Sequence, residues 1–301
     1  MGIMDNQFKF KGMFSTNSPF SKLLLLLGST IVFTMFGFMV WTAFHGDINN
    51  LQSLKWLQLA ESIGMFVIPP LAMAYLWSEK PLAYLHADRG MNTKTIVLVV
   101  VVMIIAIPFI NLLGDINHRL TLPHQLAGLE NWMKAAEADA AALTEKLMHT
   151  NNISGLMFNI FLISMAPAVG EELFFRGALQ GLFTEWKNVR WAIWLSAILF
   201  SAIHIQFYGF LPRMLMGAFF GYMVMWSGSI WPAMLAHFIN NALAVLFYYF
   251  KYNGYKLPDI DTVGTGSQWW LGIASGAVTI FLISILKKET LSKQVNQKSC
   301  F

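Results

Sequence analysis

Eight apolar runs separated by polar stretches set the rhythm of this 301-residue chain. They cover about 23–44, 56–77, 94–114, 155–183, 189–207, 213–226, 230–250 and 269–286. Most reach the roughly 20 residues that cross about 30 Å of hydrocarbon. The pattern predicts an all-α fold: a polytopic membrane helical bundle of about eight transmembrane helices. The lead before the first run holds Lys9, Lys11 and Lys22 and resembles a signal peptide. That run is too long for a signal core and no small-residue cleavage site closes it, so it reads as the first span. Pro69 and Pro70 remove two backbone donors inside the second run and are expected to kink or break it.

Residues 115–153 break the rhythm, being too polar to cross a membrane but helically periodic. Leu126, Leu129, Trp132, Met133, Ala136, Ala140, Leu143 and Leu147 recur at spacings of three or four. Glu130, Lys134, Glu137, Asp139 and Glu145 take the opposite side. This predicts an amphipathic helix on the bilayer surface or capping the bundle, with packing or substrate gating as its role. Four regions follow: three spans in 1–114, the amphipathic segment 115–153, a polar-dotted core in 154–250, and the last span with a basic tail in 251–301.

Composition sharpens the picture. Only 12% of residues are charged and 56% are hydrophobic, with a mean hydropathy of +0.54. A soluble domain carries about 25% charged residues, so this chain cannot clothe a globular surface. Its net charge of +4 comes with no basic, aromatic-interleaved face, which argues against nucleic acid. With eight spans, twelve Lys and Arg fall on the side of the termini and seven on the other. That bias points to cytoplasmic termini in a bacterial inner membrane. The single cysteine, Cys300, is penultimate. It allows no intramolecular disulfide or cysteine metal cluster, and it is too close to the end for a prenylation signal.

Several polar side chains sit inside the apolar runs, where they are costly and mark function or interhelical glue. Glu171 and Glu172 are neighbours and point about 100° apart on a helix. Arg176 follows Glu172 by four residues in the favourable acid-before-base order, so those two are expected to pair. Glu171 is left without a local partner, which suits a general acid or base. Its distance to Lys187, at the turn between the fourth and fifth spans, is 16 residues, and His204 lies 17 beyond. Equal distances in an antiparallel hairpin mean equal depth, roughly 25 Å from the turn, so Glu171 and His204 can meet. His237 and Asn241 share a helical face. They could form an oxyanion-binding pair, a metal-ligand fragment or packing glue. Asn240 is expected to face elsewhere. One mismatch stands: His237 lies only about 11 Å from its own turn at 227–229.

At these residues the chain resembles a known family. Glu171-Glu172-x-x-x-Arg176, Phe200-x-x-x-His204 and His237-x-x-x-Asn241 are similar to the three ordered motifs of the CAAX-protease and bacteriocin-processing (Abi) family of intramembrane proteases, whose eukaryotic branch is the Rce1-like prenyl endopeptidase. The resemblance covers about 155–245. It implies a helix bundle around a polar cavity, in which Glu171 and His204 activate water, His237 and Asn241 bind the oxyanion, and Glu172 with Arg176 supports the fold. It also implies a peptide or lipidated protein substrate, CAAX-type or leader-type, reached among membrane lipids. Both metal-free and metal-dependent mechanisms are proposed for the family. The metal-free one is favoured here because no further Asp, Glu or His within the spans completes a ligand shell. A divalent metal such as zinc would take Glu171, His204 and His237.

Two other classes compete with an endopeptidase. A non-catalytic scaffold, immunity or export-assisting protein would use the cavity for binding alone and would not need a water-activating pair. A proton-coupled transporter would use Glu171 and His204 as a relay, and is expected to show repeat symmetry or more charges along a path. Neither is evident in the sequence.

Overall fold

The structure, a computed structural model, describes residues 10–256 and 259–298, and the side chains of the last helix only through Ser292. Lys9 and Cys300 lie outside the described residues, as do the side chains of Lys293 and Lys298 in the basic tail. No strand occurs among them. The principal helices are α1 (Pro19–Ala43), α2 (Leu51–Trp77), α3 (Thr93–Ile105), α4 (Ile107–His118), α5 (Ala127–Met148), α6 (Ile153–Trp186), α7 (Val189–Ala202), α8 (Phe210–Ser227), α9 (Trp231–Tyr252) and α10 (Trp269–Lys298). Side-chain caps open several of them. Ser18, Asn50, Asn92, Asn152 and Asn188 each accept from a backbone amide in the first turn, satisfying a donor that the helix leaves orphaned.

One end of the bundle gathers the N-terminal segment, the 78–92 loop and the 184–188 and 227–230 turns. There the Phe14 amide donates to the Leu76 carbonyl at 2.8 Å, and Lys22 pairs with Glu185 at 3.1 Å. Lys94 pairs with Glu289 of α10 at 2.6 Å, which brings α10 to the same end as the start of α3. The opposite end is tied by Asn117, whose amide donates to the Phe207 carbonyl and whose oxygen accepts from the Leu211 amide.

Eight full spans do not result. Among the described residues, five helices are long and apolar enough to cross a membrane, and the α3–α4 pair, bent by 44°, would make a sixth. Helix α7 has 14 residues, only about 21 Å. Helix α8 has the length but is diluted by Pro212, Arg213, Gly217 and Gly221. The two pack closely on one another as a hairpin. The backbone of their connecting turn is bonded by other elements: Asn117 of α4 takes the Phe207 carbonyl and the Leu211 amide, and Glu137 of α5 takes the Tyr208 amide.

The double proline does not break α2. The helix widens into a π turn over Ile63–Val67, and Pro69 and Pro70 then fall in the first turn of the resumed α-helix, where fewer amide donors are needed. Gly64 lies in that π turn, and a Cβ there would stand 2.6 Å from the Phe33 carbonyl of α1. A small residue lets the two backbones approach.

The amphipathic helix forms as α5, Ala127–Met148, inside the expected 115–153 segment, whose first residues instead end α4 at His118. Leu129, Trp132 and Leu143 remain exposed while Leu147 and Met148 are buried, and Trp132 packs on Phe207. Helix α6 supplies the centre of the bundle. Its Phe174, Phe175, Leu179 and Phe183 join Leu26, Trp77, Phe200 and Phe220 in one buried cluster.

Candidate active site

Helix α6 is interrupted twice by π turns, at Ile160–Met165 and Leu173–Leu179. Glu171 and Glu172 close the α-helical segment between them. Such widened turns recur at functional sites. Here the second one follows immediately on the two carboxylates.

Glu172 is fully buried, and one of its oxygens serves two donors. Oε1 accepts from Arg176 Nη1 at 3.0 Å and from His237 Nδ1 at 2.9 Å. Arg176 also donates to the Gly217 carbonyl at 3.0 Å, and its guanidinium lies 4.4 Å from the Phe200 ring centroid. The cation is thereby bonded, paired and stacked, which offsets its desolvation. A Cβ on Gly217 would come within 3.1 Å of both Arg176 and Phe200, so glycine makes room for this arrangement.

Glu171 faces the two histidines instead. Its Oε2 lies 3.9 Å from His204 Nε2 and 3.9 Å from His237 Nε2, and it has no hydrogen-bond partner. These distances exceed a direct bond. The tautomers follow from the other ring nitrogens. His204 Nδ1 is 2.8 Å from the Phe200 carbonyl, which can only accept, so Nδ1 carries the proton. His237 Nδ1 likewise donates to Glu172. In the neutral ring, each Nε2 therefore presents a lone pair toward Glu171. Three acceptors converge on one small volume, and a water about 2.8 Å from Glu171 and His204 can donate to both.

Equal depth thus brings Glu171 and His204 together as the spacing predicted. The His237 mismatch also resolves. The 227–230 turn is recessed beneath the 86–90 segment, where the Ile230 amide donates to the His86 carbonyl and Ser229 Oγ to the Arg89 carbonyl. Ile230 packs beside Gly177 rather than near Lys187. Helix α9 therefore starts deep, and seven residues carry it to the level of Glu172.

His204 lies just past the end of α7, and Ile205 adopts a left-handed backbone with φ of 55°. That conformation is uncommon for a β-branched residue and turns the chain sharply away beyond His204.

Asn241 lies on the same face of α9 as His237 and donates to the Ile163 carbonyl at 3.2 Å, in the first π turn. Its oxygen accepts from Asn240 at 3.2 Å. The expectation that Asn240 faces elsewhere is corrected: both asparagines line the same cavity. The partly buried face of α9 is wide enough to hold neighbours about 100° apart.

That cavity, about 450 Å3, also holds Glu171, His204, His237, Gln206 and Arg213. A second, apolar cleft of about 600 Å3 lies between α1, α2, α6 and α7, walled by Leu23, Leu27, Phe66, Phe174 and Leu199. Glu171 and His204 line both, so they stand where a polar chamber meets an apolar one. Sequence reasoning missed Gln206 and Arg213. A lone arginine opening the sixth apolar run was the available signal.

Among the described residues, no group of three His, Cys, Asp or Glu side chains is arranged to hold a metal ion. Glu171 Oε2 stands 3.9 Å from both His204 Nε2 and His237 Nε2, wider than the roughly 3.3 Å between ligands held about 2 Å from one zinc.

Comparison with known proteins points to one stretch. Over 116 residues the chain is 26% identical to the uncharacterized protein YpbD of Bacillus subtilis. That match takes in 37% of this chain and 55% of the relative, so it spans about half of that protein's length. No solved structure matches. Residues 153–243, which hold Glu171, Glu172, Arg176, His204, His237 and Asn241, match the model of the type II CAAX prenyl endopeptidase Rce1-like family, a family of peptidases.

Proposed function

We propose that the chain is an intramembrane endopeptidase that hydrolyses a peptide bond of a membrane-associated or lipidated substrate, with residues 154–250 as its catalytic core. The observation that carries this reading is the convergence of Glu171 Oε2 and His204 Nε2 at 3.9 Å in the wall between a polar cavity and an apolar cleft. A water held by both is a nucleophile next to its base. The cleft can receive the apolar part of a substrate while the scissile bond enters the polar side. A CAAX-type prenylated tail and a leader-type peptide both meet that description.

In this mechanism Glu171 takes the proton as water attacks the carbonyl carbon, and His204, fixed by Phe200, orients the water. Oxyanion stabilisation falls to Asn241, whose amide has a second N–H beside the one given to the Ile163 carbonyl, with His237 lining the same chamber. Proton return from Glu171 to the leaving amine completes hydrolysis. Glu172 and Arg176 hold His237 in place. No metal is required. A scaffold protein would not need a base poised beside an open acceptor, and a proton relay would need a charged path out of the site. We place the protein in a bacterial inner membrane with cytoplasmic termini, on the Lys and Arg bias.

The test compares membrane peptidomes of cells expressing wild type or Glu171→Gln. Fragments appearing only with wild type are expected, and His204→Ala should lose the same fragments while remaining folded in detergent. Normal cleavage by Glu171→Gln would sink the mechanism.

A further inference from the structure

Arg213 is the cationic side chain on the wall of the polar cavity, and the mechanism does not use it. Its guanidinium is clamped from the loop side by one residue. Nη1 donates to the Gln206 carbonyl at 3.3 Å and Nη2 to Gln206 Oε1 at 2.6 Å. A guanidinium has five N–H donors, so three remain. Gly209 allows this placement, because a Cβ there would lie 3.1 Å from Nη2. Among the described residues Arg213 forms no ion pair. The carboxylates of Glu137 on α5 and of Glu171 attract it from beyond bonding distance, and Glu137 accepts from the Tyr208 amide at 3.3 Å.

The position adds a second term of the same sign. Arg213 sits in the first turn of α8, where Asn117 takes the Leu211 amide and the Gly209 cap position supplies no side chain. The positive end of the helix dipole and the guanidinium therefore act together. A fixed cation with open donors in a partly desolvated cavity suits a planar anion that can bind through two oxygens.

We propose that Arg213 binds a carboxylate on the part of the substrate that enters the polar cavity, and thereby selects peptides that carry one. The inference rests on the peptidase reading for the word substrate, but the binding itself does not require cleavage. The carboxylate is either the free C-terminus of the peptide or an Asp or Glu side chain.

The experiment measures binding on full-length protein in detergent, in a Glu171→Gln background so that cleavage does not intrude. Three N-palmitoylated nonapeptide pools, randomised without Asp or Glu, serve as probes. One ends in a free carboxylate, one in a carboxamide, and one in a carboxamide with a single Asp at a random position. Retention by immobilised protein is read by mass spectrometry. The free-acid or the Asp pool should be retained at least about tenfold better than the plain carboxamide pool, and the better of the two identifies the source. Arg213→Gln should erase the preference, and Arg213→Lys should reduce it by losing the fork. Should Arg213→Gln fail to fold, the lysine variant carries the comparison. Equal retention of all pools, retention of none, or a preference that survives the substitution overturns the proposal. Wild-type cleavage is scored separately. Binding without cleavage would leave this inference standing while the peptidase reading falls, and cleavage with no carboxylate preference would do the reverse.

Discussion

His237 Nδ1 and Glu172 Oε1 are 2.9 Å apart across the α6–α9 interface, and the same oxygen also accepts from Arg176. Glu172 is therefore the joint on which the second histidine of the site hangs. Removing its charge leaves Arg176 buried and unpaired. Glu172→Gln is expected to cost about 3 kcal/mol or more, visible as a large fall in Tm in detergent, with activity lost in proportion to folded protein or beyond it. A Tm equal to wild type would contradict the joint.

Ile205 offers a gain rather than a loss. Its left-handed backbone (φ 55°) strains a β-branched residue, and its side chain is 49% exposed. Ile205→Gly is expected to stabilise the protein by about 1 kcal/mol, raising Tm in a thermal shift assay. A lower Tm would mean that the side chain contributes more through packing than its backbone costs.

Chelation separates two chemistries at one site. Proteolysis is expected to persist after treatment with EDTA or phenanthroline, because Glu171, His204 and His237 are not arranged as a ligand shell. Activity abolished by chelator and restored by zinc would show that these three side chains close around a metal.

Lys55 and Asn159 form a buried relay outside the site. Lys55 Nζ donates to Asn159 Oδ1 at 2.7 Å, and the Asn159 amide donates to the Met148 carbonyl at 2.8 Å, tying the end of α5 to α6 and α2. Asn159→Ala leaves the Lys55 ammonium without its acceptor and should cost about 2 kcal/mol or more. Lys55→Met removes the charge and keeps the bulk, so it should cost less. The two Tm values check this, and the reverse order would overturn it.

Much of the architecture was legible along the chain. Runs of apolar residues near the length of a bilayer dictate helices, because in lipid only a helix or a closed barrel satisfies its own backbone. The 3.6-residue period placed α5, and the four-residue step from Glu172 to Arg176 placed their ion pair, since both are properties of one helix. Equal spacing about a turn brought Glu171 and His204 to one depth. These are local or nearly local relations, and sequence alone determines them.

What lay between distant segments was decided only by the tertiary structure. The hydrogen bond from His237 to Glu172 depends on the depth at which α9 starts, which is set by the 86–90 segment roofing the 227–230 turn. The placement of Asn240 in the cavity and the clamp of Gln206 on Arg213 depend on how the α7–α8 hairpin sits among its neighbours. The count of full spans depends on that same hairpin, in which α7 is only 14 residues long and α8 is diluted by Pro212, Arg213, Gly217 and Gly221. None of these has a period or a spacing to betray it, because each is a contact between elements whose relative heights and rotations arise from packing.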